Sequence, residues 1–165
     1  MSIDPPKSPS YVPHGCTTSE GLRHWTPDAE AREICELLRG ANLRPTQQRM
    51  SLAKLLFHKG NRHVSAELLH EEAIRARMPV SLATVYNTLN QFHSAGLLRE
   101  VAVDGTRTYF DTNVSDHHHF YIEGEDKVMD ISEDLVLQNL PEVPNGMEIA
   151  RVDVVVRLRK KRTRL

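Results

Sequence analysis

The pair Asp104-Gly105 separates two strand-like runs, "LLREVAV" and "TRTYFD", and Asp-Gly in that setting is a strong signal for a tight hairpin. What precedes the hairpin narrows the fold further. "TPDAEAREICELLRG" carries a full set of helix signals: Thr26 to cap, Pro27 in the first turn, acids next, Gly40 to stop, and Ile34, Leu37 and Leu38 on one face. A second helix is expected from near Pro45 to Gly60. A third is expected in "HVSAELLHEEAIRARM", with Ser65 as its cap, and a fourth in "PVSLATVYNTLNQFHSAG", capped by Ser81 and closed by Gly96. The short turn "MPV" joins the last two. Helices followed by a hairpin, with such a turn between the final pair, is the order of a winged helix-turn-helix.

The second half predicts a strand over 117–122, an acidic turn, a strand over 128–131, a helix over 132–140 and a strand over 147–158. The expected fold class is therefore α+β, an amino-terminal winged helix-turn-helix followed by a small α/β domain. The expected boundaries are a flexible arm over 1–25, a winged-helix domain over 26–112, and a small α/β domain with a basic tail over 113–165. A sheet of about three strands with one helix has too little surface to stand alone, so it should pair with a copy of itself or pack on the first half.

Charge divides the chain in the same place. From Arg44 to Arg107 nine bases stand against five acids, whereas from Asp111 to Asp153 eleven acids stand against two bases. The basic half suits a polyanion, and the acidic half, with the run His117-His118-His119, suits a cation. Alternation along a strand would put His117 and His119 on one face and His118 on the other. The two cysteines, Cys16 and Cys35, form no Cys-x-x-Cys, although Cys16 in "PHGC" could offer a thiolate to haem. No apolar run is long enough to span a membrane, and no secretory leader is visible, so a cytoplasmic location is expected.

"SLATVYNTLNQFHSAGLL" resembles the recognition helix of the ferric uptake regulator family, and "RPTQQR" and "HVSAELL" resemble the helices before it. The resemblance covers about residues 40–158 and is tighter in the first half. The intact "HHH", the missing Cys-x-x-Cys and the basic tail are most similar to one branch, the iron response regulators of rhizobia and their relatives, which read iron status through haem. The resemblance implies a homodimeric, iron- or haem-responsive regulator of transcription, not an enzyme, whose winged-helix domain over 26–112 binds double-stranded DNA at an A·T-rich palindrome and whose α/β domain over 113–165 serves dimerisation and ligand sensing. The position of the histidine run, just past the wing at the join of the two halves, further predicts that haem lowers DNA affinity.

It also implies roles for single residues. Tyr86 would meet a thymine in the major groove, Arg44 would enter the minor groove and Arg49 would contact the backbone. Ser81, Thr84 and Asn87 complete the expected DNA surface. An Arg suits a narrow A·T minor groove, an aromatic edge suits a thymine methyl, and Asn pairs with adenine. The family's hinge site maps onto His63, Asp111, His118 and Asp130, a mixed N/O set suited to Zn²⁺, Mn²⁺ or Fe²⁺. His117, His118 and His119 are the expected ligands of a b-type haem. The family's second sensor site is incomplete, because Leu137 and Val152 stand where two of its ligands belong. Its four-cysteine zinc site is absent.

Two other functions compete. A divalent-metal-sensing repressor of the same family needs no haem, and a metal-binding module needs no DNA. A metal-dependent hydrolase is the enzymatic rival, but the chain has no Gly-rich phosphate loop, no activated Ser or Cys arrangement and no general base placed by a motif.

Overall fold

The computed structural model describes residues 29–103, 107–132 and 135–161. The expected arm, Thr26, Pro27, Cys16 and the hairpin turn at Asp104-Gly105 lie outside the described residues. Ten elements follow one another: α1 Ala29–Gly40, α2 Gln47–Phe57, β1 His63–Ser65, α3 Ala66–Arg75, α4 Leu82–Ser94, β2 Arg99–Ala102, β3 Thr108–Asp111, β4 His119–Ile122, β5 Lys127–Asp130 and β6 Val155–Leu158.

Side-chain caps set where three of the helices begin. The hydroxyls of Thr46, Ser65 and Ser81 accept from the backbone N–H groups of Arg49, Leu68 and Thr84 at 3.3, 3.2 and 3.1 Å, each satisfying a donor the helix leaves free. Beyond the end of α4, Gly96 takes a positive φ of +74°, which releases the chain into β2. The apolar faces of the four helices meet in one core, in which Leu38, Leu52, Leu56, Leu69, Leu89 and Phe92 are fully buried. Phe110 of β3 closes the core from the sheet side.

The first sheet has the order β1-β3-β2, all antiparallel, and pairs His63 with Asp111 and Arg99 with Asp111. The second has the order β5-β4-β6. Strand β4 runs antiparallel to β5, pairing His119 with Asp130, and parallel to β6, pairing His119 with Val155. The second sheet packs on the first through Val101, Val103 and Tyr109 against Tyr121 and Val128, with the two tyrosine rings 6.2 Å apart. Arg99 bridges the same seam by ion-pairing with Asp153 and donating to the Ser115 carbonyl at 2.7 Å.

Two sequence expectations are corrected. The helix over 132–140 does not form: the described residues 135–140 are irregular and exposed. Val136 is 80% exposed and Leu140 52%, so an apolar stripe there has nothing to bury against among the described residues, and a short helix without packing is marginal in water. The last strand is four residues rather than twelve, because β4 offers a partner only from His119 to Ile122.

Candidate metal centre and DNA-facing surface

The register of the two sheets brings five ligand-type side chains together at the seam. His63 opens β1 and Asp111 ends β3, directly opposite it. His119 opens β4 and Asp130 ends β5, again opposite. His117 lies just before β4. One ligand atom from each of the five lies within 4.8 Å of every other, and this is the single such cluster among the described residues. The imidazole rings of His117 and His119 are 4.5 Å apart, and those of His63 and His119 meet edge to face at 5.1 Å.

The distances decide what the cluster suits. His117 Nε2 is 2.8 Å from Asp111 Oδ2 and 3.1 Å from Asp130 Oδ1. His63 Nε2 is 3.3 and 3.0 Å from the same two oxygens, and His119 Nε2 is 3.4 and 3.8 Å from them. Two donors held by one ion at about 2.1 Å stand about 3.0 Å apart as octahedral neighbours and about 3.4 Å apart as tetrahedral ones. The observed spacings fall around those values. His117 Nδ1 is 2.9 Å from the Ser115 carbonyl, which can only accept, so Nδ1 carries the proton and the Nε2 of a neutral ring presents its lone pair. The Nε2 atoms of His63 and His117 are buried with no hydrogen-bond partner, although carboxylate oxygens lie beside them. Lone pairs facing carboxylates in a buried place call for a cation between them.

Asp111 is fully buried. Burial pushes its carboxyl upward, but the imidazoles of His119 and His63 beside it and the Asn113 backbone N–H outweigh it and hold the group well below the usual carboxylate range. The Asn113 N–H donates to its Oδ1 at 2.8 Å, leaving Oδ2 to face the three imidazoles. Three nitrogens and two carboxylate oxygens form a set suited to Zn²⁺, Mn²⁺ or Fe²⁺.

The structure thus brings together His63, Asp111 and Asp130 from the expected ligand set and joins His117 and His119 to them. His118 is not among them. It points to the opposite face of the strand, where its Nδ1 accepts from the Val154 N–H at 3.4 Å. The correction follows from strand alternation: once His117 and His119 face the seam, His118 cannot. A cleft of about 710 Å³, lined by His63, Glu67, Arg107, Tyr109 and Asp130 among others, opens beside the cluster.

The expected DNA residues lie on α4 and at the start of α2. Arg44 is exposed just ahead of the Thr46 cap. Arg49 is tied to its neighbours at the surface: Nε and Nη2 donate to Gln91 Oε1 at 3.0 and 2.8 Å, and Nη1 donates to the Arg44 carbonyl at 2.8 Å. It therefore clasps the start of α2 to α4. Ser81 caps α4, and its hydroxyl meets that of Thr84 at 2.9 Å. Asn87 is exposed. Tyr86 is half-buried against the helical core, and its hydroxyl donates to Glu67 Oε1 at 2.7 Å. The roles of Glu67 and Gln91 had no sequence signal, because each depends on a partner 19 or 42 residues away.

Comparisons with known proteins agree with this architecture. The sequence profile of the ferric uptake regulator family matches residues 40–157. The ferric uptake regulation protein of Shigella flexneri is 35% identical over 100 residues, covering 60% of this chain and 68% of its own. That of Escherichia coli K12 is 34% identical over the same length and shares. Among solved structures, the ferric uptake regulator of Pseudomonas aeruginosa, determined with manganese, superposes with a TM-score of 0.57 at 26% identity, over 77% of this chain and 97% of that one. The regulator of Vibrio cholerae shares the fold with a TM-score of 0.61 at 23% identity, over 76% and 98%. The chain belongs to the ferric uptake regulator family.

Proposed function

We propose that the protein is a divalent-metal-responsive, DNA-binding regulator of transcription, with His63, Asp111, His117, His119 and Asp130 as its metal ligands. The observation that carries this is the meeting of three imidazole Nε2 atoms and two carboxylates at the seam, two of those nitrogens buried without a partner. When bound, a divalent cation supplies positive charge to two carboxylates and a crosslink among donors from both sheets. The chain's own part is to split the ligands: His63 and Asp111 belong to the sheet that packs with α3 and α4, and His119 and Asp130 to the other. Fixing the angle between the halves sets how α4 is presented. A ligand that favours the DNA-competent arrangement by about 1.4 kcal/mol changes DNA affinity tenfold when both arrangements are comparably populated.

In this proposal the first half acts as a winged helix, with Arg44, Tyr86 and Asn87 facing an A·T-rich palindrome, and two copies of the chain pair to match its symmetry. The exposed Val136, Leu140 and Met147 support a partner surface in the second half. Haem is a second candidate ligand because of the histidine run. It has less support, since His117 and His119 both face Asp111 and Asp130, and a planar macrocycle could take either nitrogen only after those contacts opened.

The test is fluorescence anisotropy with a duplex obtained by selection from random DNA, in metal-free buffer and with Mn²⁺, Fe²⁺, Zn²⁺ or haem. Tighter, sequence-preferring binding with one of the ions is the expected result. Equal binding with and without every ion overturns the metal-responsive function. Loss of binding with haem alone moves the signal to haem, and no sequence preference in any state removes the DNA role.

A further inference from the structure

Tyr86 and Glu67 are joined across two helices. The Tyr86 hydroxyl, on α4, donates to Glu67 Oε1, on α3, at 2.7 Å. Glu67 is the second residue of α3, just after the Ser65 cap. An acid in a first helical turn has an ordinary explanation, since it complements the positive end of the helix. That explanation does not require it to reach a neighbouring helix. A carboxylate close to a surface meant for phosphates also works against binding, which makes its placement beside the expected base-reading residue informative.

We propose that Glu67 is the positioning residue for Tyr86: it holds the phenol ring at one angle on the exposed side of α4 so that the ring edge can meet a thymine methyl. This rests on the DNA-binding function proposed above. The anchor is rigid. Residues His63 to Ser65 form β1 and Ala66 begins α3 with no loop between, so Glu67 sits on an unbroken strand-to-helix stretch held in the first sheet. Tyr86 also packs, partly buried, against the helical core. With its base against the core and its hydroxyl tied, the ring has its two torsions fixed before DNA arrives, which lowers the ordering cost of binding. Burial draws the Glu67 carboxyl upward, but hydrogen bonds from Tyr86, its own backbone and Ser65 prevail and lower it, which keeps it an ionised acceptor at neutral pH.

The experiment compares wild type, Glu67→Gln, Tyr86→Phe and the double variant, all metal-loaded, on a duplex selected with the wild type. Each protein is measured on that duplex and on one in which thymines are replaced by uracil, which lacks only the methyl. The wild type is expected to lose about fourfold per contacted methyl. Tyr86→Phe keeps the ring and removes the tether, and Glu67→Gln weakens it from the other side. Each single variant should lose the methyl preference to below about twofold, and the double variant should be no worse than either. Variants that keep the full preference overturn the proposal. So does a wild type with no methyl preference, although its DNA binding, and with it the proposed function, would stand. Failure of the wild type to prefer any sequence is instead the failure of that function, and removes this proposal with it.

Discussion

Replacing Asp111 with Asn keeps the shape of the side chain and removes its charge at the most enclosed point of the cluster. Asp111 Oδ2 is 2.8 Å from His117 Nε2, 3.3 Å from His63 Nε2 and 3.4 Å from His119 Nε2, so it touches every nitrogen of the set. With neutral imidazoles, two carboxylates balance a divalent ion, and the substitution leaves one positive charge uncompensated beside a fully buried side chain. Changes to groups that merely orient a ligand typically cost 10- to 100-fold in metal affinity, so loss of a ligand itself should cost at least about 100-fold, or about 2.7 kcal/mol. Metal binding to the folded state alone adds RT ln(1 + [M]/Kd). At an ion concentration of about 100 times the wild-type Kd this is about 2.7 kcal/mol, and for the variant it falls to about 0.4 kcal/mol. At about 2–4 °C per kcal/mol for a chain of this size, the metal-induced rise in Tm should shrink from about 5–11 °C to about 1 °C. Chelator competition gives the affinity and calorimetry the Tm. The metal-free Tm is the control, since an Asn oxygen can still accept from the Asn113 N–H. An affinity within threefold of wild type would refute Asp111 as a ligand.

His118→Ala should leave metal affinity within about threefold of wild type, whereas His117→Ala and His119→Ala should each lower it by more than about tenfold; the same chelator competition separates them. Arg62 donates to both oxygens of Glu72, at 2.9 and 2.5 Å, and this bond above all holds the Glu72 carboxyl below its ordinary value. A depressed folded-state pKa contributes stability above the ordinary glutamate range and loses it as pH falls through the folded value. Glu72→Gln should therefore cost about 1.5–3 kcal/mol in urea unfolding at pH 7 and much less near pH 3, and an equal cost at both would show that the charge is irrelevant. Arg44→Ala should weaken DNA binding by about 1–3 kcal/mol in anisotropy if Arg44 reads the minor groove, without changing metal affinity.

The first half was legible because its signals are local. Ser65 and Ser81 cap the helices they were expected to cap, and Ile34 and Leu38 of α1 lie in the core, although Leu37, expected on the same face, is 37% exposed. The candidate metal centre was legible in part. His63, Asp111 and Asp130 followed from resemblance, but resemblance also pointed to His118, one residue out of phase. The two-residue period of a strand corrects that without any relative: His117 and His119 must share a face, and a register that pairs His119 with Asp130 turns that face toward the seam.

The stretch after β5 shows where periodicity misleads. Leu135, Val136, Leu137 and Leu140 have helical spacing, and the sequence therefore predicts a helix. Spacing, however, states only that a helix would have an apolar face, not that a surface exists to receive it. Among the described residues none is supplied: the second sheet offers one face to Tyr109 and its neighbours, while Leu135 and Leu137 remain 39% and 40% exposed. A short segment gains too little from its own hydrogen bonds to repay nucleation, so its structure depends on packing. A second copy that covers Leu135, Leu137 and Leu140 would provide that packing. Amide hydrogen exchange over 135–140 should then slow as protein concentration rises through dimerisation, and exchange that does not change with concentration would show that the stretch takes no part in pairing.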